Sequence, residues 1–149
     1  MTPSTTRVLA PCSGRVLALA DVPDPVFAAE MVGPGVAIDP DPGLSTVVSP
    51  IGGRVVKLHP HAFVVLGGDG VGVLVHLGID TVKLDGAGFE VLAAEGADVE
   101  AGDPMVRWDP STLPDGLSPV VPVVAMDRPK GSVAPGSERA ETGEPLFAV

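Results

Sequence analysis

The chain has 149 residues, 45% hydrophobic but only 3% aromatic, and a formal net charge of −10. That length builds one domain with a mostly aliphatic core, and the acidic balance argues against nucleic acid, whose phosphates need cationic partners to displace counterions. Nineteen glycines and seventeen prolines interrupt long helices through backbone entropy and a missing donor, so the composition predicts an all-β fold with little helix.

Residues 1–6 are expected to be a short disordered start and residues 7–149 a single domain. The opening MTPSTTR has no apolar region of the signal-peptide kind, and no apolar run reaches the roughly 18 residues of a membrane span. Cys12 is the single cysteine, so an internal disulfide is impossible. A cytoplasmic monomer is expected, with Cys12 as a small packing residue. Next come two similar stretches, VLAPCSGRVLAL (residues 8–19) and VVSPIGGRVVKL (residues 47–58). In each, Pro ends one strand and the Gly before Arg-Val opens the next through a tight turn. Two strand–turn–strand copies predict two related β-halves. Between them, Asp24 is placed to cap a turn or two of helix over Pro25–Met31, with Pro25 at the first helical position.

The most informative stretch is HAFVVLGGDGVGVLVH, residues 61–76. Two apolar runs flank Gly67-Gly68-Asp69-Gly70, and a two-residue turn at Gly68-Asp69 predicts a hairpin. That register opposes Phe63 to Leu74 and His61 to His76, and opposed residues share a face with Cβ atoms roughly 4.5–5.5 Å apart. Adjacent imidazoles permit three readings. One ring attacks phosphorus as a nucleophile while the other donates to the incoming group. Alternatively, the pair binds zinc or a partner without transfer, with His59 or Asp80 as a further ligand. The plainest reading is two hydrogen-bonded histidines on a sheet surface.

Further along, EGADVEAGDPMVRWD (residues 95–109) predicts a turn leading into a strand at Met105–Trp108. Its pattern is similar to the turns of biotinyl and lipoyl carrier domains, but Lys57, Lys83 and Lys130 lack those carriers' lysine setting. The tail from Pro119 to Val149 predicts short strands and loops that close the domain.

HAF (His61–Phe63), VHLGIDTV (Val75–Val82) and GAGF (Gly86–Phe89) together resemble the glucose-type IIA component of the bacterial sugar phosphotransferase system. LAPCSGRV, DVPDPVFAAEMVGPGVAI (Asp21–Ile38), SPIGGRV and EGADVEAGD extend the likeness in order from about Arg7 to the C-terminus. The resemblance implies an antiparallel β-sandwich or distorted barrel with an internally duplicated hybrid motif. It implies a cytoplasmic carrier that takes a phosphoryl group from HPr. The carrier passes it to a IIB cysteine of a glucose- or N-acetylglucosamine-type permease, and meets the membrane only through that permease. Carried over residue by residue, His76 is the phosphoacceptor and His61 its supporting histidine. Asp24 and Asp80 ring an apolar docking face of Val26, Phe27, Met31 and Val32. No cofactor or metal is required, zinc on His61 and His76 being adventitious. The relatives' threonine near the histidine pair is missing from KLHPHAF (Lys57–Phe63), where His59 or water would take over the relay.

Overall fold

The computed structural model describes residues 6–149. Its strands are β1 (Arg7–Leu9), β2 (Gly14–Ala18), β3 (Gly35–Pro40), β4 (Ser45–Val48) and β5 (Gly53–His59). They continue with β6 (Ala62–Leu66), β7 (Gly72–His76), β8 (Phe89–Val91) and β9 (Asp98–Val99). The last are β10 (Pro104–Trp108), β11 (Val121–Ala125), β12 (Arg139–Ala140) and β13 (Pro145–Ala148). Every named pairing is antiparallel. The sheets are β1-β13, β4-β10-β8, and an eight-stranded sheet in the order β12-β2-β3-β11-β7-β6-β5-β9. The all-β expectation holds, with helix confined to α1 (Pro25–Ala28) and three short 3-10 turns among the described residues.

Side-chain alternation explains where the core sits. Val36, Ile38, Val73, Val75, Val121 and Val123 point inward to the main core with Trp108, Phe63 and Leu77. Their chain neighbours Ala37, Leu74 and Val124 pack a smaller cluster with Phe27, Leu19 and Ile79. The eight-stranded sheet therefore buries its second face locally, under α1.

The internal duplication runs deeper than the two stretches seen in the sequence. Leu9 N donates to Pro50 O, and Val48 N donates to Pro11 O, at 2.9 and 3.0 Å. These bonds exchange under the shift that turns one stretch into the other. Val16 and Val55, equivalent under that shift, likewise make matching bonds outside the two stretches, Val16 N to Glu138 O and Val55 N to Ala97 O, both 2.9 Å. Residues 97–106 thus have a counterpart in residues 138–147: ADVEAGDPMV against ERAETGEPLF. Pairing follows suit, with Val8 opposite Phe147 and Val47 opposite Val106, each beside a bulge. The shared Gly-Arg-Val has a steric cause. A Cβ on Gly14 would lie 2.2 Å from Asp39 O, and one on Gly53 2.2 Å from Leu66 O, so only glycine fits in either copy.

The helix begins as expected and ends early. Asp24 caps it, its Oδ1 accepting from Val26 N at 2.8 Å and Phe27 N at 3.3 Å. Glu30 then adopts a left-handed φ of 55°, and Met31 N bonds Val26 O while Glu30 N bonds Phe27 O. That pair of bonds is a Schellman closure, normally marked by glycine. With glutamate in the position, the sequence carries no stop signal, and the expected extent to Met31 is three residues too long. Of the expected disordered start, residues 1–5 lie outside the described residues, and Thr6 exchanges backbone hydrogen bonds with Val149. Cys12 is buried, and burial pushes its thiol up to about 12, as suits a packing residue. Among the described residues no helix is long and apolar enough to cross a membrane.

Candidate functional site

His76 is the last residue of β7, which lies between β6 and β11. Because Val73 and Val75 face the main core, Leu74 and His76 face the α1 side. There the half-buried imidazole meets Phe27 edge-on, ring centroids 5.3 Å apart. Its Nδ1 is 2.6 Å from the Gly78 carbonyl oxygen. A carbonyl only accepts, so Nδ1 carries the proton, and the lone pair rests on Nε2. The ring is thus oriented and, in its neutral form, nucleophilic at one defined atom.

His61 stands beside it, ring centroids 5.3 Å apart and planes 74° to one another. The adjacency expected from the sequence is present, but the expected register is not. β6 and β7 pair Ala62 with His76 and Phe63 with Val75, one residue off the predicted partners. The cause is the loop, which spans residues 67–71 rather than a two-residue turn. It closes through Gly67 N to Val71 O, Gly70 N to Gly67 O, and Val71 N to Asp69 Oδ1. A one-residue slip should have sent His61 to the opposite face. It escapes because it belongs to no strand: Pro60 and His61 form the turn after the last β5–β6 pair, His59 with Ala62. Released from alternation, the His61 ring leans over to His76. His59, exposed, stacks on its other side at 5.8 Å.

Both central imidazoles are held below their ordinary pKa. For His76 burial is the dominant cause, opposed by the Gly78 hydrogen bond and the charges of Asp24 and Asp80. For His61 burial again leads, followed by the neighbouring His76 and His59. Both shifts favour the neutral imidazole, and in His76 that leaves the Nε2 lone pair free to attack an electrophile.

The remaining expected residues are only partly as foreseen. Val26 and Met31 are exposed, at 44% and 68%, and form an open apolar surface beside the capping Asp24. Phe27, at 8% exposure, is not part of that surface. It is the packing residue of α1, and its part in the site is to cover His76. Val32 is half-buried against the smaller cluster. Asp80 is exposed and left-handed, with φ 63°, and its carboxylate is 4.0 Å from Lys83. Sequence reasoning missed two residues that follow it. Val82 is 59% exposed and borders a cleft with His59, His61 and Asp85, while Thr81 is buried beneath the loop. The polar residue is buried and the apolar one exposed, the reverse of what residue type suggests, so the sequence carried no signal for either. Among the described residues no three His, Cys, Asp or Glu side chains converge as a metal site would require.

Comparison with known proteins gives a consistent picture. The family model for the phosphoenolpyruvate-dependent sugar phosphotransferase system, EIIA 1, matches residues 6–130. A PTS system glucose-specific EIIA component of Staphylococcus epidermidis is 47% identical over 105 residues, 69% of this chain and 62% of its own length. Its counterpart in Staphylococcus aureus is 48% identical over 104 residues, covering 68% and 61%. The chain thus spans a little over three fifths of the length of these relatives. In three dimensions it is similar to the glucose permease IIA from Mycoplasma capricolum. The TM-score is 0.85 at 32% identity, over 98% of this chain and 96% of that one.

Proposed function

Because this chain belongs to the phosphoenolpyruvate-dependent sugar phosphotransferase system EIIA 1 family, we propose that it carries a phosphoryl group on His76 Nε2. The donor is the phosphohistidine of HPr, and the acceptor is the IIB cysteine of a sugar permease of the glucose or N-acetylglucosamine type. The single observation that carries the reading is the Nδ1–Gly78 hydrogen bond, which leaves Nε2 as the nucleophile with a second imidazole at its side.

In the first step the Nε2 lone pair forms a new N–P bond as the donor's N–P bond breaks, its electron pair returning to the donor ring. Charge spreads over the phosphoryl oxygens, where a hydrogen bond from His61 stabilises it. In the second step the IIB thiolate forms an S–P bond, and His76 recovers its lone pair. His59, stacked on His61, is the group placed to relay a proton to it. Neither metal nor nucleotide takes part. Asp24, Asp80, Val26 and Met31 form the docking surface, an apolar centre with acidic margins that suits a partner bearing arginine or lysine. Rim charges of this kind raise the association rate and permit quick release. The carrier acts as a monomer on the cytoplasmic side and reaches the membrane only through the permease.

Incubation with enzyme I, HPr and labelled phosphoenolpyruvate tests this. Acid-labile, base-stable label is expected on the wild-type chain and absent from His76→Gln. The His61→Gln protein should accept label but pass it on poorly to a IIB domain. Full labelling of His76→Gln would overturn the assignment.

A further inference from the structure

Thr81 has no task in phosphoryl transfer as described, yet it is one of the few buried polar side chains, at 0% exposure. Its hydroxyl donates to the Leu77 carbonyl at 2.7 Å. The Leu77 amide in turn donates to the His61 carbonyl at 2.7 Å. Leu77 follows His76 directly, so one residue is tied to both histidines. Next comes Gly78, at φ +85°, whose carbonyl receives the His76 Nδ1 proton. The Thr81 methyl closes over this glycine: an added Cβ would lie 2.5 Å from Thr81 Cγ2 and 2.8 Å from Ser118 O. From behind, Gly78 N bonds Val120 O at 3.1 Å and Ile79 N bonds Ser118 O at 2.8 Å.

Valine would fill the same volume without a hydroxyl to satisfy, and a buried hydroxyl is costly unless bonded. Packing alone therefore does not account for threonine. We propose that Thr81 is a positioning residue: through the Leu77 carbonyl it holds the Gly78 carbonyl against His76 Nδ1. That contact keeps the proton on Nδ1 and the lone pair on Nε2, while the Leu77 amide holds the His61 turn at its working distance. The geometric part stands on its own, and only its consequence for transfer rests on His76 being the phosphoacceptor.

Imidazole ¹⁵N spectra at pH 8 of the wild type, Thr81→Val and Thr81→Ser test the proposal. Wild type and Thr81→Ser should show His76 as the single Nδ1–H tautomer, whereas folded Thr81→Val should show both tautomers. Acceptance of phosphoryl from HPr should slow about tenfold in Thr81→Val, as expected for a misplaced reacting atom, and recover in Thr81→Ser. A single unchanged tautomer in folded Thr81→Val would overturn the proposal. Should Thr81→Val fail to fold, the wild type decides. A slowly exchanging Thr81 hydroxyl proton correlated with the Leu77 carbonyl is expected, and its absence would overturn the proposal. A wild type with the single tautomer that takes no phosphoryl group would refute the carrier reading and leave the positioning role intact.

Discussion

Truncating Phe27 to alanine separates two roles that meet in one ring. The side chain is 8% exposed, packs with Leu19, Val22, Ala37, Ile79, Val120 and Val124, and covers the edge of His76 at 5.3 Å. Buried Phe→Ala changes cost roughly 3–5 kcal/mol. Here α1 is a single turn that can settle into the gap, so the low end applies, about 3 kcal/mol. For a chain of this size each kcal/mol lowers Tm by about 2–4 °C, so a fall of roughly 10 °C is expected. The second effect is electrostatic. Burial is the largest cause of the low His76 pKa, so opening the site to water must move it up toward the ordinary value of 6.5. Urea unfolding followed by Trp108, the only tryptophan, reads the first effect, and NMR titration of the histidines reads the second. A destabilised Phe27→Ala protein with an unmoved His76 titration would refute the claim that this ring desolvates the imidazole.

Other expectations follow from the same structure. Asp24→Asn keeps a good N-cap and should leave stability within about 0.5 kcal/mol. Loss of the carboxylate's charge should lower the His76 pKa further, because Asp24 acts to raise it; an upward shift by NMR would contradict this. Gly14→Ala and Gly53→Ala each drive a methyl into a strand carbonyl, and each should cost about 2 kcal/mol or more in urea unfolding. A neutral result in either copy would show that the strands yield. Finally, His61 and His76 both have folded pKa values below 6.5, so near and below that pH the unfolded chain binds more protons. Their contribution to stability is complete above pH 6.5 and is lost as pH falls toward and through the folded values. Urea midpoints should drop between pH 7.5 and 5.5, and less steeply in a His61→Gln, His76→Gln double variant. Equal slopes would count against buried neutral imidazoles.

Much of the fold was legible because it depends on local chemistry. Glycine and proline punctuation announced short strands, and Asp24-Pro25 announced the start of α1. The end of α1 was hidden because Glu30 takes a left-handed position usually signalled by glycine. The second half of the duplication was hidden because a turn needs few identities: Glu100, Gly102 and Pro104 recur as Glu141, Gly143 and Pro145, and little else does. The hairpin register was beyond reach of pattern alone. Gly67-Gly68-Asp69-Gly70 accommodates a tight turn or a longer loop, and backbone hydrogen bonding within residues 67–71 selected the longer. The two histidines were nevertheless paired correctly, by a residue whose place in a turn frees it from strand alternation. The burial of Phe27 was hidden for a related reason: four helical residues carry no periodicity from which to read a buried face.

The most direct measurement is the position of phosphorus on the phosphorylated protein, by ³¹P–¹⁵N NMR. Coupling to His76 Nε2, with Nδ1 still protonated toward Gly78, is the expected result. Phosphorus on Nδ1, on His61 or on His59 would contradict the role assigned to the Gly78 carbonyl, and with it the choice of nucleophile.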